Sequence, residues 1–153
     1  MRKKLFYAAA ILILWVAATS AHGQDKFQEV YKVPKMSKQQ IYDRALAWTA
    51  ESFVDAKSVI QMNDRDVGKI IGRGTARFGF GTPAEYTMII EAKDGRYRVT
   101  FKDFIALWGN PPGSWRRPVK KAKYLNQLID NSRSLASSLF SFMQKADQED
   151  EKW

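Results

Sequence analysis

Residues 84–107 read AEYTMIIEAK, then Asp94-Gly95, then RYRVTFKDFIAL, and this stretch decides the fold. Two β-rich runs flank an Asp-Gly pair, a dipeptide that accepts the positive φ angles of a tight hairpin turn. In the second run Arg96, Arg98, Thr100 and Lys102 share one parity, and Tyr97, Val99 and Phe101 the other. Successive strand side chains point to opposite faces, so one face of this hairpin is polar and basic and the other packs under something. That pattern predicts an antiparallel sheet covered on one side only.

Working outward, residues 58–62 read as a short strand and Asn63-Asp64-Arg65-Asp66 as a turn. Residues 67–80 read as a long strand interrupted by Gly68, Gly72, Gly74 and Gly79, and Gly81-Thr82-Pro83 turns the chain into the hairpin. The glycines are expected to bend or bulge that strand. A phosphate cradle is the functional alternative for the run from Gly68 to Gly74. Such a cradle needs its glycines between a strand and a helix N-terminus, whereas strand-type residues follow this run.

Residues 27–33 (FQEVYKV) alternate, with Phe27, Glu29, Tyr31 and Val33 on one parity, and stop at Pro34. Ser37 and Gln40 have the spacing of a capping box. The helix predicted over 38–53 places Ile41, Ala45, Trp48 and Ser52 on one stripe, flanked by Tyr42, Leu46, Thr49 and Phe53. Beyond the hairpin, residues 108–118 (WGNPPGSWRRP) read as a loop that ends the sheet. Residues 120–145 read as a longer amphipathic helix through Leu125, Leu128, Leu135, Leu139 and Met143, with an acidic, flexible tail at 147–153. The predicted order β-α-β-β-β-β-α is an α+β domain over 24–146, an antiparallel sheet with two helices packed on one face.

The chain begins with Arg2-Lys3-Lys4 and an apolar run of 14 residues, 5–18. At 1.5 Å per residue the run reaches only ~21 Å, short of a bilayer's hydrocarbon core. A basic start, a short apolar core and a small-residue exit read as a signal peptide over 1–23, cleaved before Gln24 or alternatively before His22. The expected localisation is therefore periplasmic or secreted, without a transmembrane anchor after cleavage. With 45% hydrophobic residues and 27% charged residues in 153, one folded domain is affordable without disulfides. Removing 1–23 takes away three bases and no acid, which lowers the net charge from +9 to +6. Export argues against nucleic acid as the partner, and an unknown protein or an anionic envelope component is the expectation.

The leader, the strand ending in Val33-Pro34, SKQQIYDRALAWTAESF (37–53), VIQMNDRDVGKIIGRGT (59–75) and EYTMIIEAKDGRYRVTFKDF (85–104) together resemble a known family. It is an uncharacterised family of exported proteins of Gram-negative bacteria, described as a domain of unknown function with a TBP-like fold. The resemblance runs from Phe27 to about Phe142. Its most specific pieces are Gly68 to Gly74 and Lys93 to Arg98. It implies a TBP-like fold and brings no catalytic residues with it, and a TBP-like shape does not imply DNA binding.

Zero cysteines and a single histidine, His22, exclude thiolate chemistry and leave almost no imidazole chemistry. Asp64, Asp66 and Asp103 are explained by turn propensity; no catalytic constellation, metal site or cofactor is indicated, and the chain is not expected to be an enzyme. Two candidate binding features remain. Arg73 and Arg77, with Arg96, Arg98 and Lys102, would line the open sheet face; a solvated face with cross-strand ion pairs is the ordinary alternative. Trp108 and Trp115 bracket a loop followed by Arg116, Arg117, Lys120, Lys121 and Lys123. The tryptophans are expected to close the end of the core, or else to stack on a sugar or pin a partner. The bases are candidates for phosphate-bearing lipid or glycan. The functional expectation is a non-catalytic binding or envelope-assembly module using the open face. The alternatives are a carrier of a small apolar ligand between sheet and helices, or a hydrolase.

Overall fold

The computed structural model describes residues 25–53 and 59–149. The expected leader with both cleavage positions, Ser58, and residues 150–153 of the expected tail lie outside the described residues. The elements are β1 (Phe27–Lys32), α1 (Lys38–Ser52), β2 (Ile60–Asp64), β3 (Lys69–Phe78), β4 (Thr82–Lys93), β5 (Arg96–Trp108), β6 (Trp115–Pro118) and α2 (Ala122–Glu149). They form one antiparallel six-stranded sheet ordered β1-β5-β4-β3-β2, with β6 also on β5. The hairpin closes as expected: Lys93 pairs with Arg96, and Gly95 takes φ 72°.

The loop expected over 108–118 is only partly a loop. β1 pairs with β5 from Arg96 to Phe101, which leaves the rest of that edge free. Trp115–Pro118 fills it by pairing with Ile105 to Trp108. Four residues ending in proline show no detectable period, so only the empty edge reveals this strand.

The glycines do not bulge β3 against β4. Its pairing with β4 is unbroken from Lys69–Glu91 to Phe78–Thr82. Gly74 lies against the Tyr86 ring, where a Cβ would collide, and a Cβ on Gly72 would stand 3.3 Å from Met88 Cε. These glycines make room for large neighbours on β4. One bulge sits on β5, where the β4–β5 register shifts between Glu85 and Thr87 and Asp103 adopts φ 57°; a second irregularity lies on β2, between Ile60 and Met62, opposite Gly72 and Ile71 of β3. Beyond the β5 bulge the parity inverts, so that Phe104 and Ala106 are buried.

Ser37 and Gln40 form the expected capping box. α1 buries Ile41, Tyr42, Ala45, Trp48 and Thr49, and Ser52 of the expected stripe is exposed. α2 buries Leu125, Leu128, Ile129, Ala136, Leu139 and Met143; it begins at Ala122 and extends to Glu149, so the first three residues of the expected tail are helical. The buried hydroxyls of Thr49 and Ser132 each donate to the carbonyl one turn earlier, at 2.8 Å, which removes the cost of burying them. Glu29 shares parity with Phe27 and Tyr31 but stays exposed on the edge strand, where it accepts from the Tyr31 hydroxyl at 2.8 Å. Among the described residues no helix is long and apolar enough to cross a membrane.

Candidate functional site

Residues paired directly across an antiparallel ladder present their side chains on the same face. On β5, Tyr97, Val99 and Phe101 are buried under the helices, which puts Arg96, Arg98, Thr100 and Lys102 on the uncovered face. Lys102 pairs with Thr87 and Thr87 with Arg73, while Arg98 pairs with Glu91 and Glu91 with Lys69. Arg77 lies four pairs beyond Arg73 along β3 and so shares its face, and Arg116 of β6 faces Leu107. One face thus carries Arg73, Arg77, Arg96, Arg98, Lys102 and Arg116. Half-buried Ile71, Ile89 and Ile105 lie between them.

The ladder registers place three strand carboxylates on this face, Asp64, Glu85 and Glu91; Asp64 accepts from the Val67 N–H at 2.9 Å, and the other two are engaged by arginines. Glu91 accepts from Arg98 Nε at 2.8 Å, and Glu85 from Arg116, whose Nη1 lies 3.3 Å from Oε1. The Arg116 hydrogen bond, helped by the charges of Arg116 and Arg73, holds the Glu85 carboxyl below its ordinary range against partial burial. Exposed pairs of this kind add little to stability, but they leave cations in excess. Lys102 Nζ lies 3.6 Å from Asp103, and Arg77 Nη1 donates to the Gly81 carbonyl at 2.8 Å. Arg73 and Arg96 have no ion pair among the described residues. Beside Arg96 and Arg98 a cleft of 320 Å³ opens, lined also by Val30, Glu91, Lys93 and Tyr97. The Tyr97 hydroxyl is buried without a hydrogen-bond partner among the described residues, and burial raises its pKa.

Not every expected site residue belongs to this face. Arg117 pairs with buried Ala106 and so points to the helix side. Trp108 and Trp115 do not close the core; they are 47% and 63% exposed. Trp108 meets the core residue Phe78 edge-on, at 6.3 Å between ring centroids. The reason is β6 itself, which holds both indoles paired at the sheet's end. The sequence reading also passed over Phe80, which is fully exposed. Its signal was present: an aromatic between two glycines at a strand end has little chance of reaching the core.

The space between sheet and helices is filled. Phe101, Met88, Ile90, Leu128 and Leu139 are each at most 1% exposed. A ligand carrier needs an enclosed volume of roughly 300 Å³ or more, and the clefts described are open to solvent.

Over residues 27–105 the sequence matches the family described as a domain of unknown function (DUF4468) with TBP-like fold. The chain belongs to this family. The DUF4468 match ends within β5, so Arg73, Arg77, Arg96, Arg98 and Lys102 lie inside it. Trp108, Trp115, Arg116 and Arg117 lie beyond. Two crystal structures resemble the whole domain. A TBP-like protein from Parabacteroides distasonis ATCC 8503 has a TM-score of 0.65 at 17% identity, covering 83% of this chain and 97% of that one. A DUF4468 family protein from Bacteroides ovatus ATCC 8483 has a TM-score of 0.63 at 18% identity, covering 81% and 88%. No curated protein matches the sequence. Identities this low establish the TBP-like fold alone, and a fold does not carry a function with it.

Proposed function

We propose that this DUF4468 domain is an exported, non-catalytic binding or envelope-assembly module whose open sheet face takes up an acidic partner. The carrying observation is the collection of Arg73, Arg77, Arg96, Arg98 and Lys102 on one uncovered face, where Glu85 and Glu91 are already engaged by arginines. Half-buried isoleucines between the cations supply apolar contact area beside the charge, as interface cores do.

Reversing Arg73, Arg77 and Arg98 to glutamate tests the reading. The side chains are exposed, so each change should cost within about 0.5 kcal/mol and the denaturation midpoint should move little. Partner capture from periplasmic extract should fall sharply. Capture by the unaltered protein should itself weaken at high salt, as the Debye length contracts from about 10 Å at 0.1 M. Equal capture by both proteins, or capture indifferent to salt, would mean that the face is merely solvated.

Export is a separate part of the proposal and has its own measurement. Mass spectrometry of periplasmic or secreted material should find a chain beginning at Gln24 or His22. An intact chain from Met1, retained in membranes, would overturn it.

A further inference from the structure

The end of the sheet opposite the Asp94-Gly95 turn gathers three exposed aromatic side chains. Phe80 stands at the tip of the β3–β4 turn between Gly79 (φ 57°) and Gly81 (φ 96°) and is fully exposed. Trp108 and Trp115 face each other across the β5–β6 ladder. Turn and ladder are neighbours, since Trp108 packs on Phe78 and Phe78 closes the turn by pairing with Thr82. The start of α2 lies at the same end: Tyr124 is 5.1 Å from the Phe78 ring, and Gln127 Oε1 accepts from the Gly79 N–H at 2.8 Å.

The chain that leads from these aromatics into α2 is basic. Between Trp108 and Tyr124 the chain has five bases, Arg116, Arg117, Lys120, Lys121 and Lys123, and no acid; all five are exposed. The three lysines stand at or just before the first turn of α2, where cations oppose the helix dipole. Helix stability therefore gives no reason for them. None of the clefts described is lined by Phe80, Trp108 or Trp115. A sugar-binding platform would set carboxylates or amides beside the rings to hold hydroxyls, and Asn110 is the one such side chain in the loop. An apolar apex flanked in the chain by cations instead complements a surface that is broad, anionic outside and apolar beneath.

We propose that this end of the domain docks on an anionic phospholipid surface. Trp108 and Trp115 enter the headgroup boundary, the depth at which amphipathic rings are favoured, and the apolar Phe80 ring enters beside them. Arg117, Lys120, Lys121 and Lys123 meet the phosphates. The residues differ from those proposed to hold the acidic partner on the sheet face, so the two sites can be disabled separately.

The test is co-sedimentation of the purified exported protein with vesicles of phosphatidylcholine alone and of phosphatidylcholine mixed with phosphatidylglycerol. Binding should require phosphatidylglycerol and decline with added salt. Lys120→Glu, Lys121→Glu and Lys123→Glu together should weaken it by about a hundredfold. The thermal midpoint should hold or rise, because the helix dipole then meets acids at its N-terminus. Should that variant lose stability, Phe80→Ala decides, since that side chain is fully exposed: binding should fall at an unchanged midpoint. Equal binding to both vesicle types, equal binding by Phe80→Ala and the unaltered protein, or no vesicle binding at all would overturn the proposal.

Discussion

Trp48→Ala is expected to lower the free energy of unfolding by about 3–5 kcal/mol, the range for removing a large aromatic from a packed core. Trp48 is 2% exposed. Its indole reaches from α1 to α2, where Nε1 donates to Ser138 Oγ at 3.2 Å, and Phe53 meets it edge-on at 5.9 Å. Truncation would remove apolar contact and the bond to exposed Ser138, and leave a void that two helices anchored on one sheet cannot collapse to fill. Trp48→Phe keeps most of the ring and should cost clearly less, chiefly the hydrogen bond, about 0.5–1.5 kcal/mol. Urea denaturation of the three proteins measures this. A midpoint unmoved by Trp48→Ala would mean that the indole does not join the helices.

Gly74→Val should cost about 1–3 kcal/mol or more by overpacking, although valine is the better strand former. The conflict lies on the helix-facing side of the sheet, where the Tyr86 ring occupies the position a Cβ at Gly74 would take. Tyr86 is 3% exposed and burial pushes its pKa to about 12, so the ring has no solvent-side position to retreat to. A double-mutant cycle with Tyr86→Ala isolates the contact. In the Tyr86→Ala background the penalty of Gly74→Val should shrink or change sign, with a coupling of about 0.5–3 kcal/mol. Strictly additive effects would mean that the ring does not lie over Gly74.

Much of the candidate site was legible because a strand has a period of two. Arg73 and Arg77 on β3, and Arg96, Arg98 and Lys102 on β5, fall on one parity of continuous runs, and the buried Tyr97, Val99 and Phe101 identify the opposite face. Arg116 was legible only as a member of a basic cluster. Its place on the same face and its bond to Glu85 depend on β6, which forms because β1 leaves half of β5's edge unpaired.

What the sequence determined by itself was whatever local chemistry dictates: the Asp94-Gly95 turn, the Ser37–Gln40 cap, most of the stripes of α1 and α2, and the water-facing side of β3 and of β5 up to Lys102. Each depends on residues within a few positions of one another, where period and side-chain type are sufficient. What only the tertiary structure decided depends on partners far along the chain. Gly74 is small because Tyr86 lies against it, and Trp115–Pro118 is a strand because β5 offers it an edge. Phe104 is buried because the bulge at Asp103 inverts β5's alternation. Trp108 and Trp115 are exposed because the β5–β6 ladder holds them paired at the end of the sheet, and no window of sequence contains that pairing.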